Sequence, residues 1–306
     1  MKKNTVRTGL IDQRSRATMR RRSRRRQTTQ GSARAELDAW LDGQSWEGHE
    51  ILEIDLDAYL RATAHIPQRP SERLRQLGVH LEAEASALAG LSGWEALERI
   101  FKLASRLDPD DHEVHISAGL SALALAEIAP EGAAQDQLFA ASERRAHDAV
   151  TAAPDHARPH FALGYILYFR GRHEECLRSL ARCLECGPDK ATRAQASLYR
   201  AHVFHDQARW SEALASYEAV DRSVFVGGQA WRSDVLAEQR AECLFRVGRG
   251  EEARGEVVRI LERYESEPHV AFAAMSSSFF ALVEQASPEL MERAEAAWAS
   301  AAGGLV

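Results

Sequence analysis

Lysine all but disappears after the first three residues. Of 306 residues only Lys102 and Lys190 carry it beyond Lys2 and Lys3, and arginine supplies the rest of the positive charge. That bias reads as coding preference, not chemistry. Cysteine is sparse too, at four, which excludes a dense disulfide framework and fits a reducing compartment, the cytoplasm by default. No apolar run approaches the roughly 18 residues that a bilayer requires, so no membrane span is expected. No apolar core follows the charged N-terminus, so neither a secretory nor a twin-arginine signal is expected. The Gly-x-x-x-x-Gly-Lys-Ser/Thr, Gly-x-Gly-x-x-Gly, Gly-x-Ser-x-Gly and His-Glu-x-x-His fingerprints are all absent, and with them the nucleotide-binding, hydrolase and zinc-protease chemistries they carry.

What is present is enough apolar sequence, 45% of the chain, to bury a large core, with 27% charged residues. The net charge of −6 hides an asymmetry. Residues 1–26 hold eleven Lys and Arg against the single Asp12, which leaves about −16 on the remainder. Residues 1–32, with few apolar positions and dense like charge, are expected to form a disordered basic arm. Its cluster Arg20, Arg21, Arg22, Arg24, Arg25 and Arg26 is a candidate polyanion-binding site through counterion release. No aromatic residues interleave it, so base stacking is not indicated. Binding of the arm to the acidic body, or a solvated tail, are the other readings. Residues 33–70 are ambiguous: Leu52, Leu56, Tyr59 and Leu60 form a helical stripe, while Glu53–Ala58 alternates as a strand would, and length favours helix.

Helix-length apolar stripes joined by short turns fill 71–306, with no convincing strand. Pro-Asp recurs at 109–110, 154–155 and 188–189, at intervals of 45 and 34 residues. Proline stops one helix and aspartate caps the next, so a two-helix unit of about 34 residues is repeating. The clearest copy, 157–190, places His160, Leu163, Gly164, Leu167, Gly171, Cys176, Leu180, Cys183 and Pro188 in register. A second, 194–227, offers Ala201, Phe204, Trp210, Ala213 and Tyr217. A third, 234–267, offers Ala241, Leu244, Gly248, Ala253 and Val257. Upstream, 78–111 fits through Leu81, Ala85, Leu88, Trp94, Phe101, Ala104 and Pro109. A looser copy at 112–155 keeps Gly119 and Pro154, with about ten extra residues around Pro130–Gly132 expected to lengthen the turn. This pattern resembles the tetratricopeptide repeat. The resemblance implies an all-α, right-handed superhelical solenoid of about five helix-turn-helix repeats, capped by helices near 269–286 and 289–302.

In such a repeat Cys176 and Cys183 occupy two of the small positions where paired helices meet, and free cysteine packs as a small hydrophobe. Cys183-x-x-Cys186 lacks the second pair that a structural zinc site needs, so a redox thiol or a metal site is the weaker reading. Histidines at 112/115, 156/160 and 202/205 share helix faces without a third ligand. The resemblance also implies that the first helix of each unit lines a concave groove. That assigns Arg158, Phe161, Tyr165, Tyr168 and Phe169 to it, with Ile116, Leu120 and Leu123 before them. His202, His205 and Asp206 follow, then Glu238, Glu242 and Arg246. The groove is therefore expected to be apolar at one end and partly acidic at the other. A non-catalytic adaptor that needs no metal or cofactor and grips a protein segment is the functional expectation, with nucleic-acid attachment through the arm as the alternative.

Overall fold

The computed structural model describes residues 31–43, 54–85, 92–226 and 230–303. Residues 1–30 of the expected arm, Arg20–Arg26 among them, lie outside the described residues, as do Leu52 and Leu88. The regular structure among the described residues is helical throughout. Successive helices pair as hairpins of the tetratricopeptide type, several times over. They group into two compact units, one ending at Thr192 and one starting at Arg193.

In the first unit, helix α1 (Gly31–Asp42) buries Leu37 and Leu41 completely and sets Trp40 edge-on to Tyr59, 5.6 Å between rings. Burying two leucines of this kind contributes about 1.5–3 kcal/mol each, which favours docking over a free segment. Helix α2 (Leu56–Ala62) is capped by Asp55, whose carboxylate accepts from the Ala58 amide at 2.9 Å. Helix α3 (Pro70–His80) starts with proline at its first turn, where no amide donor is needed. The Tyr59 hydroxyl donates to the Arg73 carbonyl at 2.8 Å, and the Arg73 guanidinium donates back to the Thr63 carbonyl. A single turn, α4 (Glu82–Ala85), follows. The first helix of the 78–111 copy thus ends at His80. Helix α5 (Ser92–Leu107) pairs with α3, the Phe101 ring filling the space over Gly78.

Helices α6 (His112–Ile128) and α7 (Ala133–Ala152) form the hairpin of the 112–155 copy. Its extra residues lengthen the helices and not the turn, which is only residues 129–132. The alanine-rich sequence on both sides explains this, since alanine favours continued helix. Helices α8 (Ala157–Phe169) and α9 (His173–Glu185) pair at 157–190. Gly164 sets their approach: a Cβ there would sit 2.7 Å from Leu180 Cδ2 and 2.9 Å from Cγ. Only hydrogen fits.

Helix α10 (Lys190–Asp206) enters the second unit at Arg193. It is followed by α11 (Trp210–Glu218), and then α12 (Trp231–Arg246) pairs with α13 (Gly250–Ser266). The expected helix at 269–286 is broken. Helix α14 (Pro268–Ala274) stops at extended Met275, and α15 (Ser277–Ala286) restarts with Ser276 as cap, its hydroxyl accepting from the Phe279 amide at 3.1 Å. Helix α16 (Met291–Gly303) packs on α14 and buries Ala294 and Ala297.

Three turns share one construction that periodicity did not reveal. Gly171, Ala208 and Gly248 adopt positive φ of 67°, 57° and 83°. The arginine after each donates its amide to a carbonyl five residues back: Arg172 to Leu167, Arg209 to Phe204, Arg249 to Leu244. Each guanidinium then forks onto the glutamate three residues on, with Nε to carboxylate at 2.6 Å for Glu175, Glu212 and Glu252. Alanine at the middle turn is strained. Glycine there removes a left-handed penalty of roughly 1–2 kcal/mol and adds an entropic cost of roughly 0.5–1 kcal/mol. Ala208→Gly is therefore expected to stabilise by about 0.5–1 kcal/mol, read as a higher urea midpoint at unchanged slope. A lower midpoint would contradict the strain.

Candidate functional site

On α8, spacing of three and four residues brings the aromatic side chains onto one helix face. Phe161 and Tyr165 stand 6.0 Å apart, Tyr165 and Phe169 4.9 Å, Tyr168 and Phe169 5.5 Å. All four are half-buried. Arg158 is exposed at the start of the stripe and pairs with Glu113 at 3.1 Å. The residues assigned from α6 divide: Ile116 and Leu123 are buried at 4% and 2% exposure, while Leu120 remains half-buried. Of the apolar residues assigned to the groove, those left partly open are therefore Leu120 and the four aromatic residues of α8.

The second unit holds a polar and aromatic cluster built from α10, α11 and α12. The Tyr217 hydroxyl donates to Gln239 Oε1 at 2.8 Å, which leaves its oxygen to accept from His202 Nδ1 at 2.9 Å. Burial holds His202 neutral, its pKa pushed down to about 3. His205 is half-buried, and hydrogen bonds to Asp206 and Glu242 outweigh its desolvation and raise it to about 9. Its Nε2 lies 3.2 Å from Glu242, which also receives Arg246 at 3.3 Å. Burial works against the Glu242 charge, yet His205 and Arg246 hold its pKa down. Trp210 stacks edge-on to His205 at 5.2 Å and lies under the Arg246 guanidinium at 5.6 Å.

Glu238 departs from the surface role assigned to it. It is 4% exposed, accepting from the Tyr264 hydroxyl at 2.7 Å and the Ser276 hydroxyl at 2.8 Å. Among the described residues no cation reaches it, and burial pushes its pKa up to about 8. Glu256, equally buried at 4%, shifts the other way because Arg222, Arg240 and Arg259 all reach its carboxylate. Of the carboxylates expected in the polar, partly acidic half of the groove, Glu238 lies inside and Glu242 is matched by two cations, while Asp206 stays exposed.

Cys176, Cys183 and Cys243 are fully buried and Cys186 half-buried, all as free thiols. Burial raises Cys176 and Cys243 to about 12, so neither is a thiolate at neutral pH. His112 packs edge-on to His156 at 5.0 Å. Among the described residues, no group of three or more His, Cys, Asp or Glu side chains is placed to hold a metal ion. No helix among them is long and apolar enough to cross a membrane. Gln239, Tyr217 and Arg232 belong to the cluster and were missed. Their partners lie on other helices, so only the aromatic residues near 199–217 signalled it.

Glu238 gives a pH signature. Its folded pKa of about 8 stands above the ordinary 4.5, so the protonated form favours the fold. The contribution is complete below about 4.5, declines as the unfolded state ionises, and is gone once pH passes about 8. Glu238→Gln keeps the shape without the ionisation. Urea midpoints of the variant are expected to fall less between pH 5 and pH 8 than those of the parent protein. Equal pH slopes would show that Glu238 is ionised in the fold.

No family model matches the chain, and no curated protein matches it. Solved structures similar to it include a thermophilic TPR protein of Thermus thermophilus, at 18% identity and a TM-score of 0.43, covering 70% of this chain and 98% of that one. Another is pilF of Pseudomonas aeruginosa, at 14% identity and a TM-score of 0.45, covering 74% of this chain and 97% of that one. The repeated helical hairpins rest on the helix packing itself.

Proposed function

We propose that the chain is a non-catalytic scaffold that recruits a protein segment to the aromatic stripe of α8. One observation carries this reading: Phe161, Tyr165, Tyr168 and Phe169 touch one another in a row and remain half-buried. Contiguous apolar surface of this kind marks interaction sites more often than it occurs by chance. The row suits the apolar face of a partner helix, whose anchors recur three and four residues apart. Arg158, exposed at the start of the stripe, is proposed to add a polar contact beside it. His202, His205, Glu242 and Arg246 are proposed to offer polar contacts of their own on the second unit, where buried Glu238 supports its neighbours from within.

Tyr165→Ala and Tyr168→Ala are expected to lose the partner captured by the unaltered chain, with helical content unchanged by circular dichroism. Loss of a buried aromatic anchor costs about 2 kcal/mol or more of binding, at least a 20-fold weakening. Normal capture by both variants would put the binding surface elsewhere.

The eleven basic residues of 1–26 favour a second reading, attachment to nucleic acid through Arg20, Arg21, Arg22, Arg24, Arg25 and Arg26. Such binding is expected to fall steeply between low and moderate salt and to disappear on deletion of residues 1–30. Salt-independent binding by the truncated chain would refute it.

A further inference from the structure

Arg232 stands at the first turn of α12, its guanidinium 5.4 Å over the Trp231 ring and 6.0 Å over the Tyr199 ring of α10. It is half-buried, and its Nε is buried without a hydrogen-bond partner. No described carboxylate lies within ion-pair distance of it. Arg200 on α10 also keeps a buried Nε without a hydrogen-bond partner, while the charged groups of the cluster around Trp210 are already engaged. His205 contacts Asp206 at 3.9 Å and Glu242 at 3.2 Å, and Arg246 also reaches Glu242. His202 is neutral, tied to Tyr217. Counting Arg232, Arg246 and protonated His205 against Asp206 and Glu242 leaves one positive charge, and it is the one without a partner.

A guanidinium fixed between two rings has lost much of its side-chain freedom before any ligand arrives. Its planar fork matches the two oxygens of a carboxylate. Leaving such a group partly desolvated and unpaired is costly, and a carboxylate from outside removes that cost. We infer that the face of α10 and α12 around Arg232 binds an Asp/Glu-rich peptide segment, one carboxylate of which seats on Arg232 between Trp231 and Tyr199. This rests on the scaffold reading and names the chemistry of a segment that the second unit accepts. The basic arm of the chain has the wrong sign for this face.

The test is a titration of the full chain with a labelled Glu-rich peptide and with its Gln counterpart, followed by fluorescence anisotropy. To silence the arm, Arg20, Arg21, Arg22, Arg24, Arg25 and Arg26 are changed to Gln in every version. The acidic peptide is expected to bind and the Gln peptide not. Arg232→Gln is expected to weaken binding about tenfold or more, the effect of losing a charge-assisted pair. Arg232→Lys, which keeps the charge and loses the fork, is expected to fall between. An unchanged urea midpoint for both variants separates this from unfolding. Failure of the acidic peptide to bind, equal binding by Arg232→Gln, or tighter Arg232-dependent binding of a single-stranded oligonucleotide would each overturn the proposal. Normal partner capture by the Tyr165 and Tyr168 variants would defeat the α8 site alone and leave this titration unaffected.

Discussion

A helical hairpin whose partners lie close together needs a place where one helix has no side chain to interpose. Between α8 and α9 that place is Gly164, facing Leu180, where even a methyl group would lie inside van der Waals contact. Between α3 and α5 it is Gly78 beneath the Phe101 ring. Interiors tolerate neither voids nor overlap, so these contacts fix the distance between paired helices and limit which faces remain free. The aromatic residues of α8 are left partly open because the opposite side of the same helix is committed to α9.

The hairpins hold their register at the turns, where the αL residue, its arginine and the following glutamate recur together. The backbone bond five residues back is the structural element. The exposed Arg–Glu fork above it contributes little net stability in water. Its value is directional, since a glutamate held over the first turn of the second helix also favours the helix dipole.

How much of this was legible depended on whether the signal was local. The pair at 157–190 was readable because Gly171, Cys176, Cys183 and Pro188 each mark a position that tolerates only a small or helix-breaking residue. The break at Met275 was harder to see: Phe279, Leu282 and Val283 continue an apolar stripe past Ser276, and only the capping chemistry of that serine interrupts it. The burial of Glu238 was not readable at all. Its sequence neighbourhood matches that of Glu242 one turn later, and what separates them is a tyrosine 26 residues away and a serine 38 residues away. The engagement of Glu242 by His205, likewise, follows from one helix lying beside another.

Ser276 uses one hydroxyl for two purposes, accepting from the Phe279 amide to begin α15 and donating to the buried carboxyl of Glu238 on α12. Unwinding the first turn of α15 therefore does more than release a helix end. It admits water to an acid that the fold keeps largely protonated at neutral pH, and that acid then gives up its proton. Fraying of this turn is a proton-releasing event, so its frequency rises with alkalinity although the acid that titrates belongs to a different helix.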